Sequence, residues 1–157
     1  MKKILMVCLG NICRSPMAEG LMEDKITKYH LDAVVDSAGF EPFHKGDHPD
    51  HRAQHTLFKH NINISAQRSR LFNVSDFDKY DHIFVMDRYN FQDVKSIARN
   101  AHDLEKVDFL LNKVYPGSNK EVPDPYYGGA DGFEKVYQMI DEATEMIAQE
   151  LLNSKSK

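Results

Sequence analysis

Short apolar segments alternate with stretches of helical periodicity along the whole sequence. Strand-like runs, which are continuous where a strand is buried on both faces, occur at residues 4–8, 33–38, 82–86 and 107–111. Helical spacing of apolar residues is found at about residues 16–29, 50–60 and 90–98, and again from about residue 131. Strands separated by helices favour a parallel sheet with helices on both faces. With 157 residues, the chain is expected to form a single α/β domain over residues 1–157.

Charge and cysteine content exclude several classes of protein. A net charge of −4 provides no basic surface for nucleic acid, so no nucleic-acid partner is expected. No apolar run approaches the ~20 residues that span a bilayer, so no membrane insertion is expected. Cys8 and Cys13 are the chain's 2 cysteines, too few for a disulfide scaffold. We therefore expect a cytoplasmic monomer, in which any cysteine chemistry is catalytic or redox.

The first strand leads directly into a loop with the features of a phosphate cradle. Cys8 is followed by five residues, and then by Arg14, Ser15 and Pro16. Ser15 suits a helix N-cap and Pro16 a first helical position, while Gly10 and Asn11 allow the backbone to curl tightly. Backbone N–H groups in such a loop converge on an anion at the helix N-terminus. We predict that this loop, Leu9, Gly10, Asn11, Ile12, Cys13, Arg14 and Ser15, binds phosphate.

The same loop predicts a nucleophile. Cys8 would lie at the base of the cradle, where the helix N-terminus and Arg14 favour the thiolate form. Arg14 carries a planar fork that can hold two phosphate oxygens, and the Ser15 hydroxyl could donate a hydrogen bond to the thiolate. These features predict attack of sulfur on phosphorus.

A phosphate ester also needs a general acid to protonate its leaving group, and Asp124 is the candidate. Asp124 lies in the sequence Val-Pro-Asp-Pro-Tyr-Tyr, within a long loop predicted over residues 112–129. Pro125 restricts Asp124 to extended geometry. Tyr126 and Tyr127 follow, and their rings suit the walls of a pocket for an aromatic group.

At this point the chain resembles the low-molecular-weight protein tyrosine phosphatases over nearly its whole length. The resemblance is carried by residues 7–16, which match the phosphate-loop signature, and by three further stretches in the family's order, at residues 36–39, 84–87 and 124–127. It implies a four-stranded parallel sheet with helices on both faces, no metal or other cofactor, and a phosphotyrosine protein substrate.

The resemblance also implies roles for individual residues. Cys8 forms a cysteinyl-phosphate, Arg14 and the loop amides hold the phosphoryl group, and Asp124 protonates the leaving phenol and then activates water. Loop support is implied for Asn11, Ser15 and Ser37, and a place in the substrate pocket for Phe43, Tyr126 and Tyr127.

Several alternatives stay open at the level of sequence. Cys13 could be a small buried residue or form a reversible disulfide with Cys8. Asp87 could be a second acid, although a helix cap is favoured. His48, His51 and His55 could share a helix face, but solvated histidines are favoured over a metal site because no further ligand completes the set.

Three rival functions are compatible with parts of the pattern. Arsenate reductase chemistry on this fold passes a disulfide through cysteines near residues 80–90, where this chain has none. Phosphoarginine phosphatases of the same family tend to carry threonine where this chain has Ile12. A non-enzymatic phosphotyrosine-binding module would not need both Cys8 and Asp124.

Overall fold

A central parallel sheet organises the molecule. The computed structural model describes residues 1–126 and 129–155. Its four strands are β1 (Lys2–Val7), β2 (Ala33–Ala38), β3 (His82–Val85) and β4 (Val107–Phe109). All pairs are parallel, and the strand order is β2-β1-β3-β4, which confirms the predicted sheet. Because β1 lies where the strand order reverses, the loop after β1 is at the place where open α/β sheets bind their ligands.

Helices cover both faces of this sheet, as predicted. Their bounds are α1 (Arg14–Lys28), α2 (His51–Phe58), α3 (Asp76–Lys79), α4 (Arg88–Ile97), α5 (Ala101–Glu105) and α6 (Ala130–Lys155). Ile4 and Met6 of β1 belong to the apolar cluster that includes α1, α2 and α6. Leu5 and Val7 belong to the opposite cluster, which includes Phe77 of α3 and Val94 of α4. Side chains alternate across the sheet, so β1 contributes to both halves of the core.

Element boundaries differ from the sequence prediction around the phosphate loop. β1 ends at Val7, so Cys8 is the first residue after the strand. α1 begins at Arg14 rather than Pro16, with Cys13 as its N-cap and no side-chain cap. The fourth strand ends at Phe109, and residues Leu110–Lys113 form a 3₁₀ helix.

Four short elements were not predicted: α3, α5 and the 3₁₀ helices at Pro42–His44 and Leu110–Lys113. Each has five residues or fewer, which is too short to show helical periodicity. Among the described residues, no helix combines the length and the apolar character needed to cross a membrane.

Candidate active site

The backbone of the loop after β1 directs its carbonyl groups outward. The carbonyl of Leu9 accepts from Phe40 and Glu41, and that of Ile12 accepts from Asp50. The carbonyl of Gly10 accepts from the Ser69 hydroxyl at 3.3 Å. By contrast, no acceptor in the described part of the chain binds the backbone N–H groups of residues 9–14. A row of unpaired N–H groups at a helix N-terminus is an anion-binding site.

Asn11 holds this loop in its curled form. Its φ is 54°, in the left-handed region that asparagine tolerates. Its Nδ2 donates to the hydroxyls of Ser15 (2.7 Å) and Ser37 (2.9 Å), and its Oδ1 accepts from the N–H of Arg70 at 3.0 Å. The predicted loop-support residues Asn11, Ser15 and Ser37 therefore form one hydrogen-bonded group behind the loop.

The sequence argument expected the conformational freedom of Gly10 to permit the tight turn. In the structure, the residue of the loop with a positive φ is Asn11, and Gly10 does not have one. A closer restriction lies at Gly39, just after β2. A Cβ at Gly39 would be 2.7 Å from the carbonyl oxygen of Leu9 and 2.9 Å from the N atom of Asn11. Such contacts are too short, so the loop can pack against β2 only where a glycine follows the strand.

Cys8 is buried at the base of the loop, with 3% of its surface exposed. Its Sγ lies 3.0 Å from the Ser15 hydroxyl and accepts from the Ser15 N–H at 3.4 Å. Because the Ser15 oxygen already accepts from Asn11, the Ser15 hydroxyl proton is free to be donated to sulfur. The Cys8 sulfur therefore lies within hydrogen-bonding distance of both the hydroxyl and the N–H of Ser15.

The prediction that Ser15 is the helix N-cap is wrong. Helix α1 begins at Arg14, two residues before the predicted start at Pro16, and the carbonyl of Cys13 accepts the N–H of Met17 at 3.1 Å. Ser15 lies inside the first turn, where its hydroxyl faces the Cys8 thiol and the Asn11 amide instead of the helix backbone.

Arg14 is fixed beside Cys8 by groups from distant parts of the chain. Its Nη1 donates to Asp87 Oδ2 at 2.7 Å and to the Val122 carbonyl at 2.9 Å, while its Nη2 is 3.8 Å from Asp124 Oδ2. Burial by itself lowers the pKa of Arg14, but Cys8, Asp87 and Asp124 together raise it above its ordinary value. The guanidinium therefore remains charged in a buried site.

Asp87 is the N-cap of α4, as favoured from sequence. Its side chain accepts from the Asn90 N–H at 2.9 Å, and the Asn90 side chain accepts from the Asp87 N–H in return. The sequence argument missed its ion pair with Arg14. The available signal was its place at the carboxyl end of β3, next to β1 in the sheet.

The predicted catalytic residues line one pocket of about 360 Å³. Cys8, Arg14 and Asp124 meet there with the predicted rim residues Phe43 and Tyr126. Phe43 is 85% exposed, and the Tyr126 ring lies 5.2 Å from the Arg52 guanidinium. The carboxylate of Asp124 accepts from the Tyr126 N–H at 3.0 Å, which fixes its direction. The remaining lining residues are Leu9, Gly10, Ile12, Cys13, Glu41 and His44.

Two of these lining residues, Glu41 and His44, were missed from sequence. They follow β2 in a stretch without a recognisable pattern, so no signal in the sequence identified them. Tyr127, predicted to face Phe43 across the pocket, lies outside the described residues.

Glu19 of α1 was also missed, and it extends the support of the loop. Its Oε1 accepts from the Ser37 hydroxyl at 2.6 Å. Burial, with smaller contributions from the charges of Asp36 and Glu23, raises the pKa of Glu19 to about 7. The hydrogen bond from Ser37 acts in the opposite direction and lowers this pKa. The chain of contacts Glu19–Ser37–Asn11–Ser15–Cys8 thus connects a half-buried carboxyl group with the thiol.

The second cysteine differs from the first in its surroundings. Cys8 and Cys13 are both free thiols and both buried. Burial, and then the negative charge of Asp50, raises the pKa of Cys13 far above its ordinary value. Cys13 is therefore a neutral thiol at physiological pH, while a reversible disulfide with Cys8 stays a prediction.

The histidines singled out from sequence are exposed. His51 and His55 lie on α2, and His48 precedes it with its Nδ1 2.9 Å from the carbonyl of Ser65. Within the described ranges, no three His, Cys, Asp or Glu side chains are grouped as metal ligands.

Comparison with known proteins identifies the family. Residues 3–157 match the family model described as low molecular weight phosphotyrosine protein phosphatase. A similar curated protein, a putative low molecular weight protein-tyrosine-phosphatase of Synechocystis, is 40% identical over 143 residues, 90% of each chain. The structure of a protein tyrosine phosphatase from Entamoeba histolytica covers 99% of both chains, with 34% identity and a TM-score of 0.90.

An arginine phosphatase has the same fold. The structure of YwlE from Bacillus subtilis covers 95% of both chains at 27% identity, with a TM-score of 0.83. This structure is less similar to the chain in sequence than that of the Entamoeba histolytica phosphatase, which is 34% identical. The chain belongs to the low molecular weight phosphotyrosine protein phosphatase family.

Proposed function

We propose that this protein is a cysteine-dependent phosphatase that hydrolyses phosphotyrosine in proteins, without a metal or other cofactor. The observation that carries the proposal is the row of N–H groups over residues 9–14, which have no acceptor in the described part of the chain, with the Cys8 thiol at its base. This arrangement can hold three phosphate oxygens while sulfur faces phosphorus.

In the first step, the Cys8 thiolate attacks phosphorus and a sulfur–phosphorus bond forms. The bond from phosphorus to the tyrosyl oxygen breaks, and its electron pair goes to that oxygen, which takes the proton of Asp124. Arg14 and the loop N–H groups stabilise the charge on the equatorial oxygens. The product tyrosine leaves, and a cysteinyl-phosphate remains.

In the second step, water replaces sulfur at phosphorus. Asp124, now ionised, takes a proton from the attacking water, and the sulfur–phosphorus bond breaks to regenerate the thiolate. The 3.0 Å contact with Ser15 stabilises that leaving thiolate. One carboxyl group can thus serve both steps because it leaves the first step in the form that the second requires.

Pocket shape supports phosphotyrosine over its rivals. Phe43 and Tyr126 stand at the rim and provide aromatic surface for a phenyl ring. Ile12 lines the pocket where phosphoarginine phosphatases tend to carry threonine. Arsenate reduction would need a cysteine beyond Cys8 and Cys13, and the chain has 2 in all.

The remaining expectations concern the setting of the enzyme. We propose a monomer in the cytoplasm that does not bind nucleic acid, which the net charge of −4 and the free thiols support. Sedimentation equilibrium would test the monomer directly.

Activity on three phosphopeptides, measured side by side in the presence of a chelator, tests the proposed function. The peptides carry phosphotyrosine, phosphoserine or phosphoarginine in the same sequence. We expect turnover of the phosphotyrosine peptide alone. Preference for phosphoarginine, or activity lost in chelator and restored by zinc, would contradict the proposal.

A further inference from the structure

A second concave surface adjoins the phosphate pocket. It is a groove of about 340 Å³, lined by Leu9, Tyr89, Asn90, Val122, Pro123 and Asp124 among others. Leu9, Arg14 and Asp124 line both the groove and the phosphate pocket. The groove therefore begins at the wall that carries the proposed general acid.

The groove exposes apolar surface that the fold does not use. Tyr89 is 65% exposed and Leu9 is 42% exposed, and Pro123 is exposed beside them. Asn90 is fully buried in the groove lining, and its Nδ2 has no hydrogen-bond partner among the described residues. Apolar side chains exposed together at the edge of a site indicate a contact surface.

The two sides of the groove are held at a fixed separation. The Arg88 N–H donates to Glu121 Oε2 at 2.8 Å, and the Val122 N–H donates to the Met86 carbonyl at 2.8 Å. The Arg88 guanidinium lies 5.1 Å from the centre of the Tyr89 ring and donates to its hydroxyl at 3.2 Å. The groove is thus preformed, which lowers the entropic cost of filling it.

We propose that this groove binds an apolar side chain of the substrate peptide, within two residues of the phosphotyrosine. The inference rests on the proposed function, because it takes the phosphotyrosine to occupy the adjoining pocket. Neighbouring residues of an extended peptide are about 3.3 Å apart, so a flanking side chain reaches the far side of the shared wall. The Glu121 carboxylate in the lining disfavours an acidic side chain there.

Five matched peptides test the groove. One carries serine at every position around the phosphotyrosine, and the others replace one serine with leucine at positions −2, −1, +1 or +2. We expect leucine at one of these positions to raise kcat/KM about tenfold, as filling an apolar subsite does. If none of the four leucine peptides has a higher kcat/KM than the serine peptide, the proposal is overturned.

Variants of Tyr89 connect the gain with the groove. Tyr89→Ala should abolish the leucine gain, whereas Tyr89→Phe, which keeps the ring, should retain it. Tyr115→Ala serves as the matched control, since Tyr115 is another exposed tyrosine that does not line the groove. A leucine gain that survives Tyr89→Ala would overturn the assignment.

Hydrolysis of nitrophenyl phosphate, which has no flanking residues, should have the same kcat/KM in all these variants. A loss in Tyr89→Ala would mean that Tyr89 acts through the phosphate pocket, which would overturn the subsite. A dimer that dissociates in Tyr89→Ala would assign the groove to a second copy of the chain and overturn it too. Hydrolysis of nitrophenyl phosphate without turnover of any phosphotyrosine peptide would overturn the proposed function itself.

Discussion

At the scale of single residues, the site depends on which hydrogen-bond donors remain unpaired. The Cys8 sulfur is hydrogen-bonded to the Ser15 hydroxyl at 3.0 Å. By contrast, the N–H groups of residues 9–14 have no acceptor among the described residues. These N–H groups lie at the N-terminus of α1, where backbone donors and the helix dipole favour an anion. Phosphate binding depends on these donors and on Arg14 rather than on the Cys8 thiol, which is why binding and nucleophilic attack can be separated by mutation.

Cys8→Ser should abolish turnover and leave phosphate or vanadate binding measurable. The hydroxyl is a poor nucleophile at neutral pH, but Arg14 and the loop N–H groups remain in place. Steady-state kinetics and isothermal titration with vanadate check both parts. Appreciable turnover in the variant would remove Cys8 from the role of nucleophile.

Asp124→Asn should separate the two chemical steps according to the leaving group. Asparagine keeps the acceptor that holds the Tyr126 N–H, but it has no acidic proton to give. Cleavage of an unactivated phenyl phosphate should fall by roughly 10²–10⁴, whereas a nitrophenyl ester should lose less in the first step. Rapid mixing should then show a burst of nitrophenol as cysteinyl-phosphate accumulates.

Equal losses for good and poor leaving groups in the single-turnover step would show that Asp124 is not the acid. Two other carboxylates near the site, those of Asp87 and Asp50, are already engaged in ion pairs. Asp87 is paired with Arg14, and Asp50 with Arg52.

At the scale of elements, one residue connects a helix end with the anion site. Asp87 caps α4 through the Asn90 N–H and pairs with Arg14 of α1 through its other oxygen. The start of α4 is thereby fixed relative to the start of α1. Packing of the two helices on opposite faces of the sheet then sets the direction of the Arg14 guanidinium.

Asp87→Asn should separate these two roles. Asparagine is as good an N-cap as aspartate, so the contribution of the cap to stability should be retained. Loss of the charged partner of Arg14 should lower kcat/KM roughly ten- to a hundredfold, corresponding to a charge-assisted hydrogen bond of about 1.5–3 kcal/mol. Asp87→Ala, the comparison variant, should also lose about 1 kcal/mol of stability from the cap. Unchanged kinetics in Asp87→Asn would rule out positioning of Arg14.

Features that depend on residues close together in the sequence could be predicted, and those that depend on distant residues could not. The phosphate loop was predictable because Cys8, Arg14 and the start of α1 lie within a few residues of one another. The strands were predictable because their apolar runs are continuous. The Asp87–Arg14 pair and the Glu19–Ser37 contact join residues 73 and 18 positions apart, which no local pattern contains.

The short helices were not predicted from sequence for a related reason. Helix α3 is held by the Arg70–Asp76 ion pair at 3.0 Å, and α5 is preceded by Arg99, which pairs with Asp103 at 2.9 Å. Such helices are stabilised by specific side chains rather than by an apolar stripe. The N-cap error at Ser15 has the same origin, since the thiol and Asn11 compete for its hydroxyl.

At the scale of the whole molecule, the site sits between the two halves of the core. β1 contributes Ile4 and Met6 to one apolar cluster and Leu5 and Val7 to the other, and it ends directly at Cys8. Supports for the loop come from α1, from β2 and from the segment around Arg70. Stability of the fold and geometry of the loop are therefore coupled, and the half-buried Glu19 is where that coupling responds to pH.

Glu19 should make stability fall as pH rises from about 4.5 to about 7. Burial raises the pKa of Glu19 to about 7 in the folded protein, from an ordinary value of 4.5 in the unfolded chain. Between these values the folded state binds more protons, so the free energy of unfolding decreases with pH, by up to about 3 kcal/mol for this shift. Glu19→Gln removes the titration and keeps an oxygen that can accept from Ser37.

Urea unfolding at pH 5 and pH 7.5 measures the effect. Relative to the wild-type protein, the free energy of unfolding of Glu19→Gln should be higher at pH 7.5 than at pH 5. Glu23→Gln, on the exposed side of the same helix, should show no such change. The same difference in unfolding free energy at both pH values would show that the Glu19 carboxyl group does not titrate in this range.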